Sequence, residues 1–158
     1  MPDTVRQQIV AAVKTRFEGI LTASGYLTDL GERVFLCRPT PPADNELPAL
    51  NIWDTGENTG PEMSGIHRHE LDVEVLIMCG DSKGSTLAEY IRKAVSDLHK
   101  AIGLAFADSR KWGELAIDTR PGRNEYELDH ETKKLTGTVR YQFKVIYRTP
   151  SWDAMTVA

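Results

Sequence analysis

From His69 to Ile77 the chain alternates strictly, with His69, Leu71, Val73, Val75 and Ile77 separated in part by Glu70, Asp72 and Glu74. Successive side chains of an extended backbone point to opposite faces, whereas a helix would scatter these apolar groups around its circumference. The run therefore reads as a half-buried strand. Its register is constrained, because a slip of one residue would turn every apolar side chain to water. The spacing predicts that Val73, Val75 and Ile77 face the helices and that Glu74 and Val75 lie in a central strand. Leu50 and Ile52 repeat the pattern upstream. Between the two runs, Thr55-Gly56-Glu57 and Thr59-Gly60-Pro61-Glu62 carry residues that turn a chain, which predicts a loop closing a hairpin arm rather than a buried crossover. With few apolar anchors, residues 55 to 65 are expected to be mobile in the free subunit.

Two helical patterns accompany these strands. Val5, Ile9, Ala12, Val13, Phe17, Ile20 and Leu21 recur at spacings of three and four, predicting a helix over residues 4 to 24 with a Thr4/Gln7 capping box and an end at Gly25. Leu87, Ile91, Ala94, Val95, Leu98 and Ile102 predict a second, over 86 to 102, with a capping box at Thr86/Glu89 and Asp97 on its wet face. Residues 33 to 37 read as a short strand buried on both faces, followed by a stiff Arg38-Pro39-Thr40-Pro41-Pro42 connection. Residues 103 to 114 fit a short helix or a loop. Strands are predicted at 115–118, 124–128 and 135–148, the first two divided by Arg120-Pro121-Gly122 and the last two by a polar stretch from Asp129 to Lys134. In the final strand Val139, Tyr141, Phe143, Val145 and Tyr147 share a face. Helix, strands, helix, strands, without regular alternation, is an α+β order: a mainly antiparallel, possibly mixed sheet with both amphipathic helices packed on one face.

Pro48-Ala49, Thr55-Gly56-Glu57, Thr59-Gly60, Glu62, Glu70-Leu71 and Glu74-Val75, in this order and spacing, resemble the tail terminator (minor tail protein U) family of lambda-like tailed bacteriophages. The flanking helices and a last strand ending in Val145-Ile146-Tyr147 also fall where that family has them, so the resemblance covers residues 4 to 148, with departures at 103–114 and after Tyr147. It implies a single terminator-like domain over 1–148. Residues 149–158 have too little periodic apolar content to be ordered and read by themselves as a flexible tail, in which Trp152 is available to dock on a partner. The implied function is structural. In that family a hexameric ring caps the head-proximal end of the tail tube, ends tube polymerisation and offers the head-joining surface. The implied partners are further copies of the chain, the major tail tube protein and a head-completion or connector protein, with DNA only passing through the lumen. The implied location is the virion tail, and the host cytoplasm during assembly. Thr55, Gly56, Glu57, Thr59, Gly60 and Glu62 are the expected assembly interface, and no catalytic residue, cofactor or metal is expected.

The composition suits such a role. A chain of 158 residues is long enough to bury one core without disulfides, and its net charge of -4 opposes nucleic-acid binding driven by total charge. No apolar run approaches the roughly 20 residues of a membrane helix, and the start lacks a secretory layout. Cys37 and Cys79 both end apolar runs and read as small buried hydrophobes. Basic Arg120 and Arg123 lack the interleaved aromatics of a nucleic-acid platform. His67 and His69, two apart on a strand, share a face and invite a metal reading, yet no further His or Cys stands at ligand spacing; His99 and His130 are isolated. A small metal-dependent or acid-base enzyme using His67 and His69 is the alternative from another class, and another neck or connector component is the alternative within phage assembly. The acidic stripe Glu70, Asp72, Glu74 and the basic stripe Arg140, Lys144, Arg148 are expected to pair within one subunit, or else across subunits of a ring.

Overall fold

The computed structural model describes residues 2–81, 84–107, 112–129 and 135–158. Helix α1 spans Val5–Glu18 and α2 spans Gly84–Ala107; strands are β1 (Val34–Leu36), β2 (Ala49–Met63), β3 (Ile66–Asp81), β4 (Asp118–Asp129) and β5 (Leu135–Pro150). They form one five-stranded mixed sheet in the order β1-β2-β3-β5-β4, in which β1 runs parallel to β2 and every other pair is antiparallel. The fold is α+β, as the sequence predicts.

The central position of Val75 follows from pairing on both sides: β3 meets β2 and β5, setting Val75 opposite Ile52 and Tyr141. Val73, Val75 and Ile77 are buried in one cluster with Val5, Ile9, Val13 and Phe17 of α1, Leu87, Ile91, Ala94 and Leu98 of α2, and the odd-numbered residues Val139 to Tyr147 of β5. Each fully buried Val, Leu or Ile contributes roughly 1.5–3 kcal/mol over an exposed one, so this cluster fixes the register of all three inner strands.

The capping box at Thr4 is present, the Gln7 amide N–H donating to Thr4 Oγ1 at 3.2 Å and the Thr4 N–H to Gln7 Oε1 at 2.8 Å. The helix ends at Gly19 rather than Gly25, however. Gly31 explains the early stop: its N–H donates to Ile20 O at 2.9 Å, and a Cβ there would lie 2.6 Å from the Phe17 and Glu18 carbonyls, so the chain folds back against the helix end. Gly25, at φ +89, instead closes a short 3-10 turn.

Several other expectations are corrected. Helix α2 begins at Gly84, which puts Thr86 inside the helix rather than at its cap, and it runs on to Ala107. Asp97 is 2% exposed, not wet. The loop at Leu27-Thr28 folds over it, giving the carboxylate the two amide N–H groups at 3.0 and 2.8 Å and the Thr28 hydroxyl at 2.6 Å, and a buried carboxylate needs such donors. Strand β1 is an edge, half-buried at Val34 and Phe35 and exposed at Leu36, not buried on both faces. Cys37 is exposed at φ +52, while Cys79 is buried and its thiol is pushed up to about 11 by burial. Arg120-Pro121-Gly122 does not divide two strands: it lies within β4, as a bulge between Pro121 and Asn124. Of residues 103–114, the first five are helical and 112–115 form turns, with 108–111 outside the described residues. Trp112 is buried there, donating Nε1–H to Thr119 Oγ1 at 2.8 Å beside the Phe143 ring. The polar stretch at 130–134, including His130, also lies outside the described residues.

Candidate assembly interface

The Thr-Gly segment expected to be a loop is strand. Thr55 to Glu62 all belong to β2, which pairs with β3 until Met63 meets Ile66, leaving Ser64-Gly65 as the turn, with Gly65 at φ +78. Sequence reasoning placed the turn too early because Gly and Pro mark bulges as well as loops. Here they mark two: the register shifts between Asp54 and Gly56, and again between Pro61 and Met63, so Thr55 and Glu62 are the extra residues. Strand β5 accompanies the hairpin to Pro150, opposite Ile66. The result is a three-stranded tongue that continues past Leu71, the last hydrophobic-core residue of β3 in that direction, for five β2–β3 pairs. At about 3.3 Å per residue this is roughly 17 Å of sheet.

Polar side chains hold the tongue. The Arg148 guanidinium meets Glu62 through two nitrogens, the Nη2–Oε1 distance being 2.7 Å, and this pairing holds the Glu62 carboxyl below the usual carboxylate range. The Tyr147 hydroxyl donates to Glu57. Burial, and then that carboxylate, push the Tyr147 hydroxyl well above its ordinary pKa. Arg6, from the first turn of α1, reaches Asp54 at 2.7 Å and Glu57 at 3.8 Å, tying the helix to the root of the tongue. His69 sits between two threonines, Nδ1 at 2.8 Å from Thr59 Oγ1 and Nε2 at 2.8 Å from Thr149 Oγ1, and stacks on Tyr147 with centroids 4.5 Å apart. Burial lowers its pKa, Glu57 opposes that, and His67 adds to it.

Of the six expected interface residues, then, Glu57, Thr59 and Glu62 are engaged within their own subunit. Thr55 is exposed at the first bulge, and Gly56 and Gly60 lie in the strand with open space or only Asp72 near a notional Cβ. Arg6 and Tyr147, which organise the tongue's root, were not singled out for it; the signal available was only that both carry charge or a hydroxyl on an otherwise apolar face.

The two charged stripes meet inside the sheet only at Lys144; Arg140 lies opposite Leu76, and Arg148 lies opposite Arg68 and pairs with Glu62 instead. Lys144 lies 3.7 Å from both Glu70 and Asp72, and the Gln142 amide donates to Glu74 at 3.2 Å. Since β3 is central, the acidic stripe does not guard an edge. His67 and His69 rings are 6.4 Å apart, and among the described residues no group of three or more His, Cys, Asp or Glu is placed to hold a metal ion. The tail after β5 is hydrogen-bonded to the body: Ser151 N–H to Gly65 O at 2.9 Å, Val5 N–H to Ala154 O at 2.9 Å and Ala158 N–H to Arg148 O at 3.1 Å. No helix among the described residues is long and apolar enough to cross a membrane. A scan of the chain against models of protein families finds no match, and neither does a comparison with curated protein sequences.

Proposed function

We propose that the protein is a structural assembly component of a tailed phage, a tail terminator whose copies form a ring on the head-proximal end of the tail tube, end its polymerisation and offer a surface to the head. The reading rests on the ordered resemblance at residues 48–75 and is supported by one observation above others, the tongue. Five β2–β3 pairs extend past the last core residue of β3, and they are held by ion pairs, hydrogen bonds and the stacking of His69 on the buried Tyr147 of β5. A contact element that is already ordered loses little conformational freedom on binding, which suits a subunit that must recognise the last ring of a tube. Binding alone is the mechanism, with repeated head-to-tail contacts closing on themselves.

The test is a phage whose copy of this gene has residues 59–69 replaced by a tight turn. Purified, that variant is expected to stay folded, since core residues are untouched and surface connections tolerate change. In the phage it is expected to give tails of uncontrolled length, or tails without heads, by electron microscopy. Infectious particles with normal tails from the shortened variant would reject the reading.

A further inference from the structure

Strand β1 pairs with β2 only from Leu50 to Ile52, and its chain then leaves at Cys37, at φ +52, where the Arg38 N–H donates to Asn51 Oδ1 at 3.1 Å. The outer side of β2 is open from there on. The direction of its main-chain groups follows from the register. Leu50 N–H donates to Arg33 O at 2.8 Å and Ile52 O accepts from Cys37 N–H at 2.9 Å, so both residues turn outward, and both lie opposite odd positions of β3. Since β3 pairs with β5 without a shift, every β2 residue opposite an odd position turns the same way. Beyond the first bulge these are Glu57, Thr59 and Pro61, opposite Leu71, His69 and His67. Among the described residues no strand lies beside them. Pro61 fits this alternation, because its missing amide hydrogen is not needed inside the sheet. From Asp54 to Pro61 the open row is roughly 23 Å long.

On the face turned away from the helices this edge is nearly bare. Gly56, Asn58 and Gly60 occupy it, opposite Asp72, Glu70 and Arg68. A Cβ at Gly60 would meet nothing within 4 Å, and one at Gly56 only Asp72 Oδ2 at 3.9 Å. Neither glycine takes a positive φ, so the backbone does not require them, and each leaves the strand without a side chain to pack. A bare glycine in an edge strand admits a ring from a neighbouring strand, which restores the missing packing. Beside Gly60 lies a hollow of about 270 Å³ bordered by Asn58, Pro61, Arg68 and Glu70. The Arg68 guanidinium, half-buried and 3.5 Å from Glu70, stands where it can meet the face of such a ring.

We propose that the outer side of β2, from Asp54 to Pro61, receives an extended segment of another protein as a sixth, antiparallel strand, with aromatic residues four apart lying over Gly56 and Gly60. Main-chain bonds to Glu57 and Thr59 hold the segment, and the two bare positions select its side chains. In that register Gly56, Asn58 and Gly60 fall in the non-hydrogen-bonded pairs, where opposing side chains come closest. An alternating row of donors and acceptors is matched by an extended backbone and not by a helix, whose own groups are paired internally. A second copy offers no such segment. Its own β2, centred on Asn58, would set glycine against glycine, and its β4 carries Pro121 and a broken ladder. The proposal rests on the geometry of β2 and not on the terminator reading, so a failure of tail capping would leave it standing.

The probe is the capped nonapeptide Lys-Thr-Tyr-Thr-Val-Thr-Tyr-Thr-Lys, with a control in which alanine replaces both tyrosines. Amide exchange of the full chain is followed by NMR with and without peptide. Without it, Glu57 and Thr59 are expected to exchange faster than Asn58 and Gly60, whose amides face β3. At about 1 mM the peptide is expected to slow Glu57 and Thr59 about threefold, the effect of a dissociation constant of roughly 0.5 mM, and to leave Asn58 and Gly60 unchanged. The alanine peptide is expected to give no slowing. Gly60→Val, whose side chain has open space, and Thr59→Pro, which removes an outward amide, are each expected to abolish the protection of Glu57. No slowing in wild type, slowing shared equally by Asn58 and Gly60, an equal effect of the alanine peptide, or an equal effect in Gly60→Val would each overturn the proposal. So would a chain whose mass doubles by sedimentation while Glu57 and Thr59 are protected without peptide, since the edge would then belong to a second copy. Should Thr59→Pro not fold, Gly60→Val carries the test alone.

Discussion

The two halves of the β2–β3 hairpin share a backbone pattern and differ in what holds them. Around Val75 every inward side chain is apolar and inaccessible, sealed by α1, α2 and β5. Beyond Leu71 the same strands present His69, His67, Thr59 and Pro61 on that side, and cohesion passes to Arg148–Glu62, Tyr147–Glu57 and the two threonines on His69. Ladder hydrogen bonds alone contribute little net stability, since each replaces a bond to water. The first half is held by the hydrophobic effect, insensitive to pH. The second is held by groups whose charge and hydrogen bonding respond to it.

The largest expected effect lies in the first half. Val75→Asp buries an unpaired carboxylate at the centre of the sheet and is expected to cost more than about 4 kcal/mol, leaving no cooperative melt by circular dichroism. A soluble variant with a normal melt would erase the distinction between the halves. Tyr147→Phe tests the root of the tongue: it leaves the half-buried Glu57 without its hydroxyl donor, an expected cost of about 1–3 kcal/mol by urea unfolding. An unchanged midpoint would show that Arg6 satisfies Glu57 unaided.

Acid should act on the tongue next. The folded-state pKa of His69 is lowered from 6.5, so the unfolded chain binds the proton more readily than the folded one. Its stabilising contribution is complete above pH 6.5 and is lost as pH falls through the lowered folded value. His69→Gln is expected to flatten the stability profile in the first stretch below pH 6.5, and an identical slope in wild type and variant would dismiss His69 as the cause. The smallest effect is expected from Arg148→Ala. It should leave the melting temperature nearly unchanged while amide exchange at Gly60, Glu62 and Met63 accelerates relative to Leu71–Ile77. Equal exchange rates in the two halves would show the tongue to be as rigid as the core without its ion pair.

Legibility in the sequence followed the same division. Where burial decides, period reveals it: the odd residues of β3 and β5 and the apolar stripes of both helices are core positions, and the α+β class follows from their order. Where glycine and proline sit in a twisted ladder, local turn chemistry misleads. Thr59-Gly60-Pro61-Glu62 and Arg120-Pro121-Gly122 read as turns because an isolated segment with those residues would turn, yet pairing on a neighbouring strand keeps both extended with a bulge. Asp97 and Cys37 were misplaced for a related reason. Whether such a residue is covered depends on which distant loop folds over it, as Leu27-Thr28 does over Asp97 and as none does over the exposed Cys37, and no period encodes that. The candidate interface residues were found by resemblance, whereas the side chains that lock them, Arg6 and Tyr147, become visible only when α1 and β5 are brought alongside.

The bulge in β4 carries a consequence for how such a molecule can join others. At one margin of the sheet, Pro121 offers no amide hydrogen, the bulge breaks the ladder, and Arg123, Glu125 and Glu127 stand exposed beyond it. The opposite margin is different: β1 covers β2 only from Leu50 to Ile52, and from Trp53 to Met63 the outer side of β2 has no strand partner among the described residues. Charge, proline and bulges are the means by which natural sheets refuse a stranger's strand, and on this side only Pro61 and the bulges at Thr55 and Glu62 stand in the way. Copies of this protein crowded together are therefore steered away from pairing through β4, and the open side of β2 is where an added strand would have to lie.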